Sequence, residues 1–224
     1  MSAREAILAR LRATAATAPT LDVDAYFAHR AVPALEQRVA DFARRLESQH
    51  ADVVVADKST WATRLAGILV TEPPRRLLVD CGCAQAGELV AALDGRTETV
   101  EFARPIEAWK EELFDAVDAG FSVAVAGIAD LGALVFASGP AAARCVSLVP
   151  ALHIAWIDAA KIHPDLYSAN RAERWSTAMP TNLVFVSGPS KTSDIQQTVA
   201  YGAHGPRRLI VVVVVPPGRA GVPG

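Results

Sequence analysis

The chain of 224 residues contains only three cysteines, Cys81, Cys83 and Cys145. A small, odd number excludes a disulfide framework and fits a reducing, cytoplasmic setting. It also leaves the chain without the ligands for an iron–sulfur cluster of its own. Ferredoxin signatures space their cysteines by two residues and need a fourth, whereas Cys81-Gly82-Cys83 is spaced by one. Asp80 and a distant histidine could complete a zinc site there, but two thiols after a strand also serve as small apolar residues, and no metal site is assigned. Excess positive charge is absent too. With 22 Lys+Arg against 24 Asp+Glu the formal net charge is −2, so there is no electrostatic footprint for nucleic acid or an acidic membrane surface. No apolar run approaches the roughly 18–20 residues of a membrane span. The N-terminus is charged and amphipathic, without the apolar core of an export signal.

What the chain does have is apolar surface. Hydrophobic residues make up 51% of it, which suits a sheet covered on both faces. Residues 2–12 read as a short helix with Ile7, Leu8 and Leu11 on one face, followed by an Ala/Thr-rich linker to Pro19. Leu35, Val39, Phe42 and Leu46 recur at helical spacing over 32–46. Residues 1–50 are therefore assigned to an N-terminal helical arm. It can pack on the core or grip a neighbouring subunit in a homo-oligomer, and both readings stay open.

From residue 51 strands and helices alternate. Strands are expected over 53–56, 76–80 and 98–102, and helices over 60–70, 85–93 and 105–117. That alternation indicates βαβ units and a largely parallel sheet. Then four apolar runs, 121–128, 132–137, 145–148 and 153–157, follow without room for helices and read as an antiparallel meander. Asp158 should cap a helix to about Tyr167, with a polar loop over 168–180. The α/β domain spans 51–216, and 217–224 reads as a flexible tail.

The stretch Ser187 to Gln196, with Tyr201-Gly202-Ala203-His204-Gly205-Pro206 behind it, is the focus of the functional reading. Apolar runs lead in (Leu183 to Val186) and out (Leu209 to Val215), so it reads as strand, loop, helix, turn, strand. Gly188 permits an unusual turn, Pro189 fixes its own φ, and Ser193 with Gln196 fits a capping box. Free N–H groups at such a helix start favour an anion, and Lys191 adds charge. The same residues also make a well-capped helix with no ligand. A Walker A reading is rejected, because Phe185 and Ser190 stand where that motif needs glycine.

This string resembles the C-terminal signature of the LUD-domain family, most closely its lactate utilisation protein C branch. The family pattern reads roughly SGPSxTxDIE, then an HGP turn and a valine-rich strand. The segments Ala124–Val135 and Ser147–Ile154 add two further matches, so the resemblance covers about the last hundred residues. Asp130 stands where the family usually has Glu, Leu131 where it has Thr, and Gln196 where Glu is common. The resemblance implies an α/β fold like that of ribose-5-phosphate isomerase, glucosamine-6-phosphate deaminase and CoA transferases. It implies a cytoplasmic, cluster-free subunit of an L-lactate oxidising system, whose companion proteins carry the iron–sulfur clusters. Whether such a subunit is catalytic or accessory stays open. The rival, by fold analogy, is a stand-alone enzyme or binding protein for a sugar phosphate, an acyl-CoA or a folate-like ligand.

The expected site is one small-anion pocket formed by Gly188, Ser190, Lys191, Thr192 and Asp194, with Asp130 and His204 as candidate catalytic groups. Histidine is the usual acid/base side chain at physiological pH, and His204 sits in a turn by the loop. A helix of about ten residues is roughly 15 Å long, which would hold His204 away from the loop. Asp130 can equally be a turn residue bonding its own backbone. His153 on a strand reads as a hydrogen-bonded core histidine; His29 and His50 fall in the arm, and His163 in a loop or helix start.

Overall fold

The computed structural model describes residues 2–13, 22–139, 143–193 and 199–219, and the chain divides into two units, Met1–Val32 and Pro33–Gly224. The first unit holds two helices. α1 (Ala3–Ala13) opens with a capping box: the Glu5 N–H donates to Ser2 Oγ at 3.2 Å, and the Ser2 N–H donates to the Glu5 carboxylate at 2.7 Å. α2 (Val23–Ala28) is capped by Asp22, which accepts from the Ala25 N–H at 2.9 Å. Neither helix contains a buried side chain. A chain beginning at Pro33 should therefore unfold cooperatively in urea, within about 1 kcal/mol of the full chain. Loss of soluble protein on that truncation would contradict the division.

The second unit begins with α3 (Leu35–Ser48). The sequence reading assigns this helix to an arm ending at residue 50. Of the two placements left open for it, this helix takes the packing on the core: Val39, Phe42 and Leu46 are buried in one cluster with Leu134, Phe136, Ile157 and Val211. The periodicity marks which face is buried but does not say against what.

Next come β1 (Asp52–Asp57), α4 (Trp61–Ile68), β2 (Arg76–Val79), α5 (Ala84–Ala92), β3 (Glu98–Glu101) and α6 (Lys110–Asp115). They follow the expected alternation closely, with a short 3-10 turn (Ile106–Ala108) ahead of α6. β4 (Ala119–Val123), β7 (Leu152–Asp158) and β12 (Arg208–Val215) complete a six-stranded sheet in the order β1-β12-β7-β4-β2-β3, every pair parallel. The side-chain alternation of β12 explains its unbroken valines. Ile210, Val212 and Val214 pack on one face with Trp61 and Leu65 of α4 and Leu89 of α5. Leu209, Val211, Val213 and Val215 pack on the other with α3. Each such side chain contributes about 1.5–3 kcal/mol relative to exposure.

The expected meander is only partly antiparallel. β4 and β7 belong to the parallel sheet. β5 (Ala126–Ile128) and β6 (Ala133–Ser138) pair antiparallel in a second sheet, ordered β8-β5-β6-β9, with β8 (Ile162–His163) and β9 (Asn182–Val186). The run 145–148 is a helix, α7 (Arg144–Leu148), not a strand. Its backbone lies directly on β4: a Cβ on Gly120 would meet the Val146 carbonyl oxygen at 1.9 Å, so only glycine admits this approach. Asp158 does cap, accepting from the Ala160 N–H at 2.9 Å, but the turn it starts is a 3-10 turn of three residues (Ala159–Lys161). α8 (Leu166–Ala172), capped by Asp165, occupies part of the expected polar loop.

Most of the helix expected from Ser193 lies outside the described residues, and the described residues on either side of it are extended. β10 (Lys191–Ser193) and β11 (Val199–Tyr201) form an antiparallel ribbon, Lys191 opposite Tyr201. Residues 194–198, including Asp194 and Gln196, lie outside the described residues, as does 220–224 of the expected tail.

Candidate functional site

β9 was expected to run into the carboxyl edge of the parallel sheet, where α/β proteins hold ligands. It joins the second sheet instead, antiparallel to β6, with Val186 opposite Leu134. The loop that follows therefore lies beside the first residues of β7 and β12, where His153 pairs with Leu209. There it borders a cavity of about 280 Å³ whose walls include Ser187, Gly188, Ser190, His204, Gly205 and His153.

The ribbon settles the position of His204. Loop and turn are stitched directly: the Ser190 N–H donates to the Pro206 carbonyl at 2.8 Å, and the Gly202 N–H donates to the Ser190 carbonyl at 2.9 Å. Gly188, Ser190 and His204 thus share one cavity. The anion argument changes with it, since no helix start is available at Lys191 to supply free N–H groups. Gly188 has a packing reason of its own: a Cβ there would lie 2.7 Å from the Gln49 carbonyl oxygen at the end of α3.

None of the remaining expected residues that are described lines this cavity. Lys191 is exposed on β10 and Thr192 is half-buried beside it; neither lines the cavity. Asp194 lies outside the described residues. Asp130 is exposed in the tight turn between β5 and β6, where its N–H donates to the Pro164 carbonyl at 3.1 Å, and it is not among the cavity-lining residues.

His153 is the addition. It is 1% exposed, its Nε2 lies 2.6 Å from Ser122 Oγ, and its Nδ1 has no partner among the described residues. Burial away from water disfavours the imidazolium and pushes its pKa down to about 3. It is a neutral hydrogen-bonding group in the cavity wall rather than a proton carrier. His163 is also held below its ordinary value by burial, opposed by Glu173 at 3.4 Å. Of the thiols, Cys81 is exposed, and burial raises the pKa of Cys83, keeping it protonated and a poor metal ligand.

A second and larger cavity, about 500 Å³, opens at the carboxyl edge of the parallel sheet. Its walls combine Lys58 and Trp61, Gln85 and Glu88 of α5, and Trp156 and Asp158 of β7. The sequence reading does not single out these residues, because six separate segments contribute to the cavity. One local signal was present: Lys58-Ser59-Thr60 between β1 and α4 has the same strand-loop-helix form as the expected site.

The architecture defines an α/β protein with a parallel sheet, a smaller mixed sheet and a cavity at either edge. The chain belongs to the LUD-domain family, whose model matches residues 39–214. A protein of Neisseria meningitidis serogroup B described as uncharacterized is 36% identical over 96% of this chain and 95% of its own. Lactate utilization protein C of Halalkalibacterium halodurans is 33% identical, and that of an Exiguobacterium species 32%, each over 46% of this chain and 46% of theirs. The chain thus spans about half the length of those lactate utilization proteins. In fold it matches the crystal structure of a DUF162 family protein from Deinococcus radiodurans, with a TM-score of 0.61 and 22% identity over 81% of this chain and 99% of that one.

Proposed function

We propose that the chain acts in L-lactate utilisation, as a LUD subunit without a cluster of its own that serves the oxidation of lactate to pyruvate alongside iron–sulfur partner proteins. The likeness to lactate utilization protein C supports the setting. The observation that carries the site is the single cavity shared by Ser190, His204 and His153. Its hydroxyl and imidazole groups can donate to a small carboxylate, and charge-assisted bonds of this kind are stronger than neutral ones. Converting lactate to pyruvate removes two electrons and two protons. A partner's clusters would take up the electrons and solvent the two protons, and this chain's part is to hold the carboxylate. Asp130 and Asp194 are kept as residues that a partner or substrate brings to the site.

Calorimetry with lactate and pyruvate tests the cavity. Ser190→Ala and His204→Ala should each weaken binding about tenfold, the loss of one hydrogen bond to a charged group. Lys191→Ala, on the ribbon, should cost no more than the ~1 kcal/mol typical of an exposed charge. Equal affinity in all four proteins would remove the site from this cavity. The isolated protein, purified anaerobically with iron and sulfide, should stay colourless and free of iron. A brown protein with stoichiometric iron would overturn the division of labour.

A further inference from the structure

The larger cavity has no part in that reading. At about 500 Å³ it lies within the 300–1,000 Å³ typical of ligand pockets and is far roomier than lactate needs. Its position also distinguishes it. It opens at the carboxyl ends of β4, β7 and β12, where Val123, Trp156 and Val214 line it. Ligands of open α/β sheets bind at this carboxyl edge of the strands.

The polar groups there are unevenly satisfied. Trp61 donates its indole N–H to Glu88 at 3.0 Å. Trp156, 9% exposed in the same wall, has an indole N–H with no acceptor among the described residues. A buried donor without a partner is costly, and a ligand oxygen relieves it. α4 starts at this edge without a side-chain cap, because the Thr60 hydroxyl turns back to the Asp57 carbonyl at 3.4 Å. Its first-turn N–H groups and positive dipole end are therefore available to an anion. Lys58, in the loop before it, is exposed and makes no ion pair among the described residues. The three carboxylates of the lining are already engaged: Glu88 by Trp61, Glu173 by Lys161 at 3.0 Å, and Asp158 by the Ala160 N–H. Each keeps lone pairs that can accept from hydroxyl groups.

We propose that this cavity is a second ligand site, which takes a small hydroxylated phosphate monoester. The phosphate sits between Lys58 and the start of α4, one ligand oxygen accepts from the Trp156 N–H, and the ligand's hydroxyls donate to Glu88 and Asp158. Carboxylates around the rest of the wall disfavour a second anionic group, which sets the ligand apart from a diphosphate or a dicarboxylate.

Glycerol 3-phosphate is the probe, with inorganic phosphate and glycerol as the separate halves of its chemistry. Calorimetry and intrinsic tryptophan fluorescence report it together, since two of the four tryptophans line the cavity. Glycerol 3-phosphate should bind at millimolar or better affinity and change the fluorescence. Inorganic phosphate should bind more weakly, and glycerol not at all. Lys58→Ala, at an exposed position with no effect on folding by circular dichroism, should weaken glycerol 3-phosphate binding about tenfold. Trp156→Phe should weaken it too and abolish most of the fluorescence response. Ser190→Ala should leave it unchanged, which separates this site from the carboxylate cavity. No binding of either phosphate compound, or undiminished binding by Lys58→Ala, would overturn the proposal. Equal affinity for inorganic phosphate and glycerol 3-phosphate would overturn the assigned role of Glu88 and Asp158.

Discussion

Phe42→Ala should destabilise the protein by about 3–5 kcal/mol, the usual cost of emptying a fully buried phenylalanine site. Phe42 is 0% exposed, and its ring edge comes so near β5 that a Cβ on Gly127 would lie 3.2 Å from Phe42 Cε2. Neighbours this rigid, two sheets and a helix, cannot collapse into the void, so the cost falls toward the upper end. Urea unfolding measures it as a lowered midpoint at unchanged slope. A loss below about 1 kcal/mol would return α3 to a peripheral arm. Together with the truncation at Pro33, this result fixes the boundary of the folded domain from both sides.

His153 should make the fold acid-sensitive well above the range where carboxylates titrate. In the unfolded chain the imidazole has its ordinary pKa of 6.5, and in the folded protein it is pushed down to about 3. Between those values the unfolded state binds a proton that the folded state does not. Stability therefore rises with pH across this window and is lost as pH falls from 6.5 toward 3, by up to about 1.4 kcal/mol per pH unit. Glu112 and Asp118 titrate below their ordinary values through their arginine partners and add their own loss further down. The interval pH 6.5 to 5 lies above those carboxylates, and within it half-buried His163, also held below its ordinary value by burial, adds a loss of the same sign to both wild type and variant. Urea midpoints across it should fall steeply for the wild type and much less for His153→Gln, whatever that variant's stability at pH 7. Parallel slopes in the two proteins would show that His153 is protonated in the fold.

The outline of the α/β core was legible because its signals are local. α3 shows its buried face in the spacing of Val39, Phe42 and Leu46, and the units from β1 to β3 are separated by turn residues such as Pro73-Pro74 and Asp94-Gly95. Sheet membership was not legible. The apolar run 183–186 looks the same whether it extends the parallel sheet or pairs with β6, since the choice rests on partners fifty residues away. Nor was α7, whose five residues are too few to display a helical period. Of the candidate site, the loop and the His204 turn were legible through their turn chemistry, and both border one cavity. The ribbon that joins them was not, because Ser193 and Gln196 also spell a capping box. Lys58 and Trp156 went unremarked, since no spacing along the chain links residues that only folding brings to one edge.

The order of strands also has a cost in time. β1 takes its only partner in the sheet from β12, and the Arg208–Asp52 ion pair across them spans 156 residues. Translation at roughly 5–20 residues per second leaves β1 without its sheet partner for on the order of ten seconds before β12 emerges. β7 waits for the same strand. Until then the apolar faces of both flank an empty slot, an open invitation to the wrong strand from a neighbouring nascent chain. Such long-range closure also predicts slow folding for a protein of this size. Yield in a cell should therefore respond to chaperone supply and to growth temperature more than equilibrium stability alone would suggest.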